Sequence, residues 1–85
     1  MEGVLSKWCK YRWKNRYYVL VNNVLKEFKK LGSPWIWTYH ISLITISPHK
    51  KNGRKFKLNV GTGKISLRAT SSNEAQQWFD TIYDA

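Results

Sequence analysis

Cysteine, proline and long apolar runs are all scarce in this chain. Its single cysteine, Cys9, cannot form an intrachain disulfide, and no cluster of cysteine and histidine has the spacing of zinc ligands. The longest stretch without charge, Leu31–Pro48, is interrupted by glycine, proline and polar residues, so it is not a membrane span. The N-terminus also lacks the apolar segment of a signal peptide. We therefore expect a protein of a reduced compartment with no metal and no other cofactor.

Acidic residues are also few: five of them face fifteen lysines and arginines, which leaves a formal net charge of +10. Residues 1–70 carry all fifteen basic residues, whereas residues 71–85 carry three acidic residues and no basic one. A basic body with an acidic end attracts and orients an anion, so the predicted partner is anionic. The aromatic content of 15% is too high for a disordered basic tail, which leaves one folded domain over residues 1–85.

Short strands account for most of the pattern. Arg16–Val21 is aromatic and β-branched, which is the strongest strand signal, and Asn22-Asn23 after it tolerates positive φ and predicts a hairpin. A polar, basic loop with Asn52-Gly53 precedes a last hairpin around Gly61–Gly63. The other predicted strands are Gly3–Trp8, Val24–Lys30, one long or two short strands within Trp35–Ile46, Phe56–Val60 and Lys64–Ala69.

The last fifteen residues change period and predict one helix over about residues 72–84. Ser71 and Glu74 form a capping box, in which the Ser71 hydroxyl accepts from the Glu74 amide and the Glu74 carboxylate reaches back. Behind this cap, one apolar stripe is formed by Ala75, Trp78, Phe79 and Ile82. Strands followed by one helix, without βαβ alternation or a glycine-rich phosphate loop, predict a small antiparallel sandwich or barrel that the helix closes.

Cations alternate with aromatic residues between Lys7 and Arg16, where a hairpin loop should join two strands. Neither a hydrophobic core nor an ordinary solvated loop needs both residue types together. A lipid surface does, because each cation near anionic headgroups contributes about 1 kcal/mol, and tryptophan and tyrosine rings prefer the headgroup level. The hairpin would also bring Lys7, Lys14 and Arg16 close enough to hold a multivalent phosphate, with the arginine binding bidentately.

Met1–Trp8 and Asn15–Leu20 resemble the opening of a pleckstrin homology (PH) domain. The resemblance is strongest to the PH domains of oxysterol-binding-protein relatives, the ceramide transfer protein and the four-phosphate adaptor proteins. It extends to Lys64–Ala69 and to the final helix, where Trp78 matches the family's tryptophan. It implies a mostly β fold, a seven-stranded antiparallel sandwich or barrel capped by one C-terminal α-helix, with a phosphoinositide site at the open end.

The resemblance and the charges together identify two groups of candidate site residues. The phosphoinositide-binding group is Lys7, Lys14, Arg16 and Lys26. The membrane-contact group at the tip of the first loop is Lys10, Tyr11, Arg12 and Trp13. The implied ligand is phosphatidylinositol 4-phosphate on the cytosolic face of Golgi membranes, and the implied role is to recruit a larger lipid-transfer or trafficking protein. The resemblance further implies a cytoplasmic, monomeric, peripheral membrane module with a small GTPase as a second partner.

Three departures from the family pattern bear on the ligand. The first loop is shorter than in its relatives, and Lys10 and Arg12 add charge at its tip. In the third strand, Lys26 and Glu27 stand where relatives have serine and tyrosine. Glu27 would repel a phosphate if it faces the site, whereas Lys26 would help to bind one. These departures concern the residues that would meet the ligand and not those that specify the fold.

Two other functions stay open. A PH-like domain can bind a protein partner without specific lipid binding, and a basic β-barrel can stack nucleic-acid bases on exposed aromatic residues. We do not expect a nucleic-acid partner, because no RNA-binding or OB-fold pattern is present. Enzymatic activity is not expected either, because His40 and His49 have no evident nucleophile partner. A second basic cluster would widen the anionic footprint or keep its loop soluble, and it comprises Lys50, Lys51, Arg54, Lys55 and Lys57.

Overall fold

Seven antiparallel strands and one C-terminal helix form the part of the chain that the computed structural model describes, residues 1–48, 53–61 and 63–84. The elements are β1 Glu2–Cys9, β2 Arg12–Val21, β3 Val24–Phe28, β4 Trp35–His40, a 3₁₀ turn Ile41–Leu43, β5 Ile44–Pro48, β6 Lys55–Val60, β7 Gly63–Arg68 and α1 Ser72–Tyr83. The strands are hydrogen-bonded in the order β4-β3-β2-β1-β7-β6-β5. This arrangement confirms the predicted fold class.

One core lies on the inner face of the sheet and beneath the helix. Alternate residues of each strand enter it, as expected for strands with one buried face; in β2 these are Tyr18 and Leu20, and in β6 they are Phe56 and Leu58. Because buried residues of β1–β3 share a single cluster with those of β6 and β7, the sheet curls around this core. From the helix, the cluster includes Ala75, Trp78 and Ile82.

The hairpin between β2 and β3 turns on two asparagines, as the sequence predicts. Asn22 and Asn23 have φ values of 52° and 62°, and Val21 pairs directly with Val24 across the turn. Two consecutive positive φ values give the turn whose twist matches that of the flanking strands, and asparagine tolerates them better than most residues. The asparagine pair therefore sets the register of β3, and with it the side chains that β3 directs toward the core.

The first hairpin has a much shorter loop than the sequence predicted for the segment from Lys7 to Arg16. β1 continues to Cys9 and β2 begins at Arg12, so the turn consists of Lys10 and Tyr11, with φ values of 41° and 76°. The ladder extends this far because Trp8 lies opposite Trp13, with ring centroids 5.4 Å apart in an edge-to-face contact. The loop prediction was therefore wrong for most of the segment, whose cations and aromatic residues stand on rigid strands.

The segment Trp35–Ile46 forms two strands rather than one. They are separated by the 3₁₀ turn, where the His40 Nδ1 accepts a hydrogen bond of 3.3 Å from the Ser42 amide. β4 and β5 form the two edges of the sheet. β3 ends at Phe28, two residues earlier than predicted, after a register shift between Glu27 and Phe28.

The C-terminal helix begins at the predicted cap. The Ser71 hydroxyl accepts from the Glu74 amide at 3.2 Å, which confirms that half of the capping box. The Glu74 carboxylate does not complete the box and accepts from the Thr70 hydroxyl at 2.9 Å instead. Trp78 is 1% exposed, and burying a side chain of this size contributes about 2–3 kcal/mol. Phe79 is only partly buried and stacks on Tyr83.

Candidate anion-binding site

Three cations lie on the inner side of the first hairpin, beyond the end of the core. Leu5 of β1 is buried, so Lys7, two residues later, is on the same face. Tyr18 and Leu20 of β2 are buried, which places Lys14 and Arg16 on that face as well. Lys7 lies opposite Lys14 in the β1–β2 register, so the hairpin brings these two side chains together. We call Lys7, Lys14 and Arg16 the inner cluster.

A buried carboxylate lies at the base of the inner cluster. Glu27 of β3 is 1% exposed, and its oxygens lie 3.0 and 3.1 Å from the Lys7 ammonium nitrogen. The Arg16 Nε is 3.9 Å from the same carboxylate, and the Tyr18 hydroxyl donates to it at 2.9 Å. Lys7 and Arg16 therefore converge on one point, but that point is already occupied by a negative charge. Glu27 therefore faces the site, which is the arrangement in which its charge is expected to repel a phosphate.

Lys26 lies apart from the inner cluster. It is adjacent to Glu27 in β3, and neighbouring residues of a strand point to opposite faces, so Lys26 is on the outer face of the sheet. Its partner across the ladder is Val19, which is likewise on the outer face of β2. The four residues grouped from the sequence therefore separate into three on the inside and one on the outside. A site predicted from basic residues alone lacks the Glu27 carboxylate, which the structure places at its base.

Two tyrosines beside Glu27 keep their protons well above neutral pH. Burial, together with the charge of Glu27 and the hydrogen bond to it, raises the pKa of the Tyr18 hydroxyl above its ordinary value near 10. Burial and the charge of Glu27 also raise the pKa of Tyr39 to about 12. The Tyr18 hydroxyl consequently remains a hydrogen-bond donor to the carboxylate over the physiological range, which fixes Glu27 at the base of the cluster.

The tip of the first hairpin is exposed. Tyr11 is 94% exposed, and its neighbours Lys10 and Arg12 are exposed as well. An aromatic ring held in solvent between two cations suits a surface with anionic headgroups and an apolar interior. Tyr11 occupies one of the two positive-φ positions of the turn, so the backbone presents its ring away from the strands. Lys10, Tyr11 and Arg12 together are called the tip below.

The whole chain matches a family model. The model is described as the PH domain, and the match covers residues 1–85. The chain belongs to the PH domain family. A PH domain is a membrane-targeting or interaction module and is typically not catalytic.

Known proteins support this assignment. The human ceramide transfer protein is 34% identical over 85 residues, a match that covers 94% of this chain and 14% of that protein. The chain thus spans about one seventh of the length of the curated relatives it matches. The solution structure of the PH domain of human oxysterol binding protein-related protein 11 superposes with a TM-score of 0.82 and 27% identity, over 96% of this chain and 75% of that one.

A third match shows the fold alone, because its identity is 19%. It is the crystal structure of the C-terminal PH domain of pleckstrin in complex with D-myo-Ins(1,2,3,5,6)P5, with a TM-score of 0.87 over 100% of this chain and 92% of that one. PH domains of this fold therefore include one that holds an inositol phosphate. No helix in the described part of this PH domain is both long and apolar enough to cross a bilayer.

Trp13 is not at the tip of this PH domain, where the sequence placed it. It lies in β2 on the outer face of the sheet, with the Arg68 guanidinium carbon 4.5 Å and the Lys55 ammonium 5.3 Å from its ring centroid. These two cations reach Trp13 across β1 because β7 and β6 are the next strands of the sheet. The sequence could not indicate this contact, since it depends on pairing between residues far apart in the chain.

The second basic cluster of the PH domain is described only in part. Lys50 and Lys51 lie outside the described residues, as does His49. The Arg54 Nε donates to the Ala69 carbonyl at 3.2 Å, which joins the start of β6 to the end of β7. Within residues 1–48, 53–61 and 63–84, no three His, Cys, Asp or Glu side chains are close enough together to hold a metal ion.

Proposed function

We propose that this PH domain binds the phosphorylated headgroup of a phosphoinositide at the inner cluster. The observation that carries the proposal is the convergence of Lys7 and Arg16, which come from different strands and lie within 4 Å of one carboxylate. Two cations of different geometry directed at one point suit a phosphate, because the guanidinium binds bidentately and the ammonium acts as a mobile point charge. Lys14 lies across the ladder from Lys7 and adds a third charge.

The tip supplies the second part of the proposed mechanism. Tyr11 inserts its ring at headgroup depth, while Lys10 and Arg12 bind anionic lipid nonspecifically at about 1 kcal/mol each. The turn is too short to form a deep wedge, since it contains two residues. Attraction to the surface therefore precedes recognition of the headgroup, and the inner cluster is held at the membrane where the phosphate is concentrated.

Glu27 opposes the binding of anions to the inner cluster. Its negative charge compensates part of the inner cluster, so a phosphate has to compete with an internal carboxylate for Lys7 and Arg16. A ligand with a single phosphomonoester benefits from Lys14 and from the exposed side of Lys7 without approaching the carboxylate closely. The singly phosphorylated headgroup of phosphatidylinositol 4-phosphate therefore suits the cluster better than a headgroup with several phosphates, whose repulsion from Glu27 would be larger.

The biological setting follows from the relatives. The ceramide transfer protein and oxysterol binding protein-related protein 11 support a role in delivering a larger lipid-transfer or trafficking protein to a membrane. We place that membrane at the cytosolic face of the Golgi, with the domain acting as a monomer and a small GTPase as second partner. The rest of the protein would provide the transfer activity, and this domain would direct the protein to the membrane.

The decisive test compares two pairs of substitutions in binding to vesicles. Lys7→Ala with Arg16→Ala removes two charges from the inner cluster, and Lys29→Ala with Lys30→Ala removes two exposed charges elsewhere. Since a charge-assisted hydrogen bond contributes about 1.5–3 kcal/mol, the first pair should lower affinity for phosphatidylinositol 4-phosphate vesicles roughly 100-fold or more. The second pair should lower binding to all anionic vesicles slightly and equally.

A further variant controls for misfolding in this test. Removing Lys7 and Arg16 leaves Glu27 buried without its partners, so circular dichroism must show an unchanged fold. Lys14→Glu reverses a charge of the inner cluster outside the Glu27 network and should also abolish headgroup selectivity. If both folded variants keep the selectivity of the parent protein, the inner cluster is not the site. Tighter binding to single-stranded oligonucleotides than to phosphoinositide vesicles at the same salt would instead favour the nucleic-acid alternative.

The β4 edge supports protein interaction as a second candidate function. Leu31, Trp35 and Trp37 near this edge are 72%, 61% and 55% exposed, and large exposed apolar groups often mark protein contacts. A strand at the edge of a sheet also offers unpaired backbone groups to a partner. If this candidate is correct, the Lys7→Ala and Arg16→Ala pair leaves partner binding intact.

A further inference from the structure

One side of β4 is unpaired in the described part of the sheet. β4 is the first strand in the hydrogen-bonded order, so its neighbour on the other side is β3. The chain carries no charge from Leu31 to Pro48, and β4 therefore lacks the lysines that commonly protect the edge of a sheet. Ile36 and Trp37 are 38% and 55% exposed. An apolar, uncharged edge of this kind accepts a further strand readily.

The register of β4 shows which of its backbone groups are free. The Ile41 amide donates to the Asn23 carbonyl at 2.9 Å, one step beyond the end of β4. Because hydrogen-bonded pairs alternate along an antiparallel ladder, Tyr39 and Trp37 are the next residues that bond to β3. Thr38 lies between them and therefore directs both its N–H and its C=O away from β3.

The register shift at the start of β4 adds to these free groups. The shift between Glu27 and Phe28 leaves Ile36 without a partner in β3. The extra residue of a β-bulge does not take part in the ladder, so its backbone groups remain available. We call the side of β4 that faces away from β3, at Ile36 and Thr38, the free edge.

The two faces of the sheet differ in chemistry beside the free edge. On the inner face, Trp37 pairs with Glu27 and stacks on Tyr39, with ring centroids 6.4 Å apart. On the outer face, Thr38 pairs with Lys26, and none of the described acidic residues forms an ion pair with that lysine. An added strand would direct its side chains alternately against an indole ring and toward an ammonium group.

This alternation specifies the sequence of an added strand. Neighbouring strands lie about 4.8 Å apart, so a residue opposite Thr38 would be about 10 Å from the backbone of Lys26, a distance that a lysine and a glutamate side chain span together. On the inner face an acidic side chain would be repelled by Glu27, whereas an apolar one would cover Trp37. The exposed Lys29 and Lys30, which follow β3, add positive charge near the start of β4.

A second copy of this domain fits the free edge poorly. Each copy carries a formal net charge of +10, and charge of this size opposes self-association. A symmetric pair of β4 strands would also bring Lys26 of both copies to the same face of the joined sheet. The same charge attracts a partner that is acidic.

We infer that the free edge binds an extended segment of an acidic protein partner, which adds to the sheet as an eighth strand. Its acidic side chains lie on the outer face near Lys26, and its apolar side chains lie on the inner face against Trp37. Backbone hydrogen bonds give the affinity, and the alternation gives the specificity. The inference rests on the protein-interaction function proposed above, and it needs no lipid at the inner cluster.

The test uses two synthetic peptides of about eight residues, one alternating glutamate with valine and the other lysine with valine. Followed by NMR, the acidic peptide should shift the amide signals of Ile36 and Thr38 and the indole signal of Trp37, and the basic peptide should shift none of them. Thr38→Pro removes the outward N–H but no bond of the β3 ladder, so it should lower affinity for the acidic peptide about tenfold. Thr38→Ser keeps the N–H and is the matched control.

A charge reversal tests the same edge without a change of backbone. Lys26→Glu should weaken binding of the acidic peptide about tenfold and strengthen binding of the basic one. It decides the matter if circular dichroism shows that Thr38→Pro does not fold. If Lys26→Glu binds the acidic peptide as tightly as the parent protein, the partner is not selected by charge and the inference is overturned.

The remaining outcomes separate this inference from the lipid site. If the acidic peptide moves no signal of the free edge, or folded Thr38→Pro binds it as tightly as Thr38→Ser, the edge accepts no strand and the inference is wrong. Phosphoinositide selectivity is measured separately with Lys7→Ala and Arg16→Ala, and this pair should bind the acidic peptide as the parent does. If the domain alone dimerises in sedimentation and moves the same signals, the occupant is a second copy and the acidic partner is rejected.

Discussion

Replacing Glu27 with glutamine should tighten anion binding at the inner cluster and at the same time weaken the fold. The substitution keeps the size of the side chain and one oxygen that can accept the Tyr18 hydrogen bond of 2.9 Å. It removes the negative charge that lies 3.0 Å from Lys7 and 3.9 Å from Arg16. Because no cavity is created, the two effects of the lost charge can be measured without a change of packing.

The gain in affinity follows from the distance between a bound phosphate and the Glu27 carboxylate. A phosphate oxygen in contact with Lys7 would lie roughly 6 Å from the Glu27 carboxylate, where two unit charges repel by about 3 kcal/mol at an effective dielectric constant near 20. Water and salt at the open rim screen part of this repulsion. We expect about 1.4 kcal/mol to remain, which is a tenfold gain in affinity.

The loss of stability is smaller than for a fully buried pair. Breaking such a pair costs about 3–5 kcal/mol because one charge is left in the interior. The Lys7 side chain is 17% exposed, so its ammonium can turn toward water once Glu27 is neutral. We expect a cost of about 1–2 kcal/mol, which for a domain of this size lowers the melting temperature by roughly 5–15 °C.

Calorimetric titration with a soluble phosphoinositide headgroup at fixed salt measures the first effect, and thermal unfolding followed by circular dichroism measures the second. Glu2→Gln is the matched control, because it removes the same charge from an exposed residue that bonds Tyr17 outside the inner cluster. If Glu27→Gln is folded and binds the headgroup no more tightly than Glu2→Gln, then Glu27 does not compete with the ligand. The inner cluster would then not be the anion site.

Two predictions concern stability alone. The folded-state pKa of Tyr18 is raised, so its contribution to stability is present below pH 10 and decreases as pH rises above that value, by up to about 1.4 kcal/mol per pH unit; Tyr18→Phe should flatten this decrease in urea unfolding followed from about pH 9 to about pH 11, and an unchanged slope would contradict it. Ser71→Ala removes the helix cap and should cost about 1 kcal/mol in the same measurement, whereas Ser71→Asp, which keeps an acceptor for the Glu74 amide, should cost much less.

Local patterns predicted the elements of this fold well. The apolar stripe of Ala75, Trp78 and Ile82 and the cap at Ser71 mark the helix to within a residue of its observed ends. Asn22-Asn23 marks the β2–β3 hairpin, because few other residues adopt two consecutive positive φ values. These signals are local, and the forces behind them act within a few residues of the chain.

The candidate site was harder to predict because it depends on the face of the sheet on which each side chain lies and on which strands pair. Lys26 and Glu27 are adjacent, and only the burial of Leu25 decides which of them is directed inward. Lys10 and Tyr11 form the first turn although neither residue favours positive φ, since the pairing of Trp8 with Trp13 fixes the register there. The contact of Trp13 with Lys55 and Arg68 joins β2 to β6 and β7, so no window of sequence contains it.

β1 and β7 are joined by a short ladder in which Ser6 pairs with Arg68 and Lys7 with Leu67. This seam connects the two halves of the sheet, and on the outer face the contact of Arg68 with the Trp13 ring spans it from β7 to β2. Contacts of this kind contribute about 0.5–1 kcal/mol at exposed sites, and this one adds to the two-pair ladder between β1 and β7. Arg68 and Trp13 thus reinforce the domain mechanically where its backbone ladder is shortest.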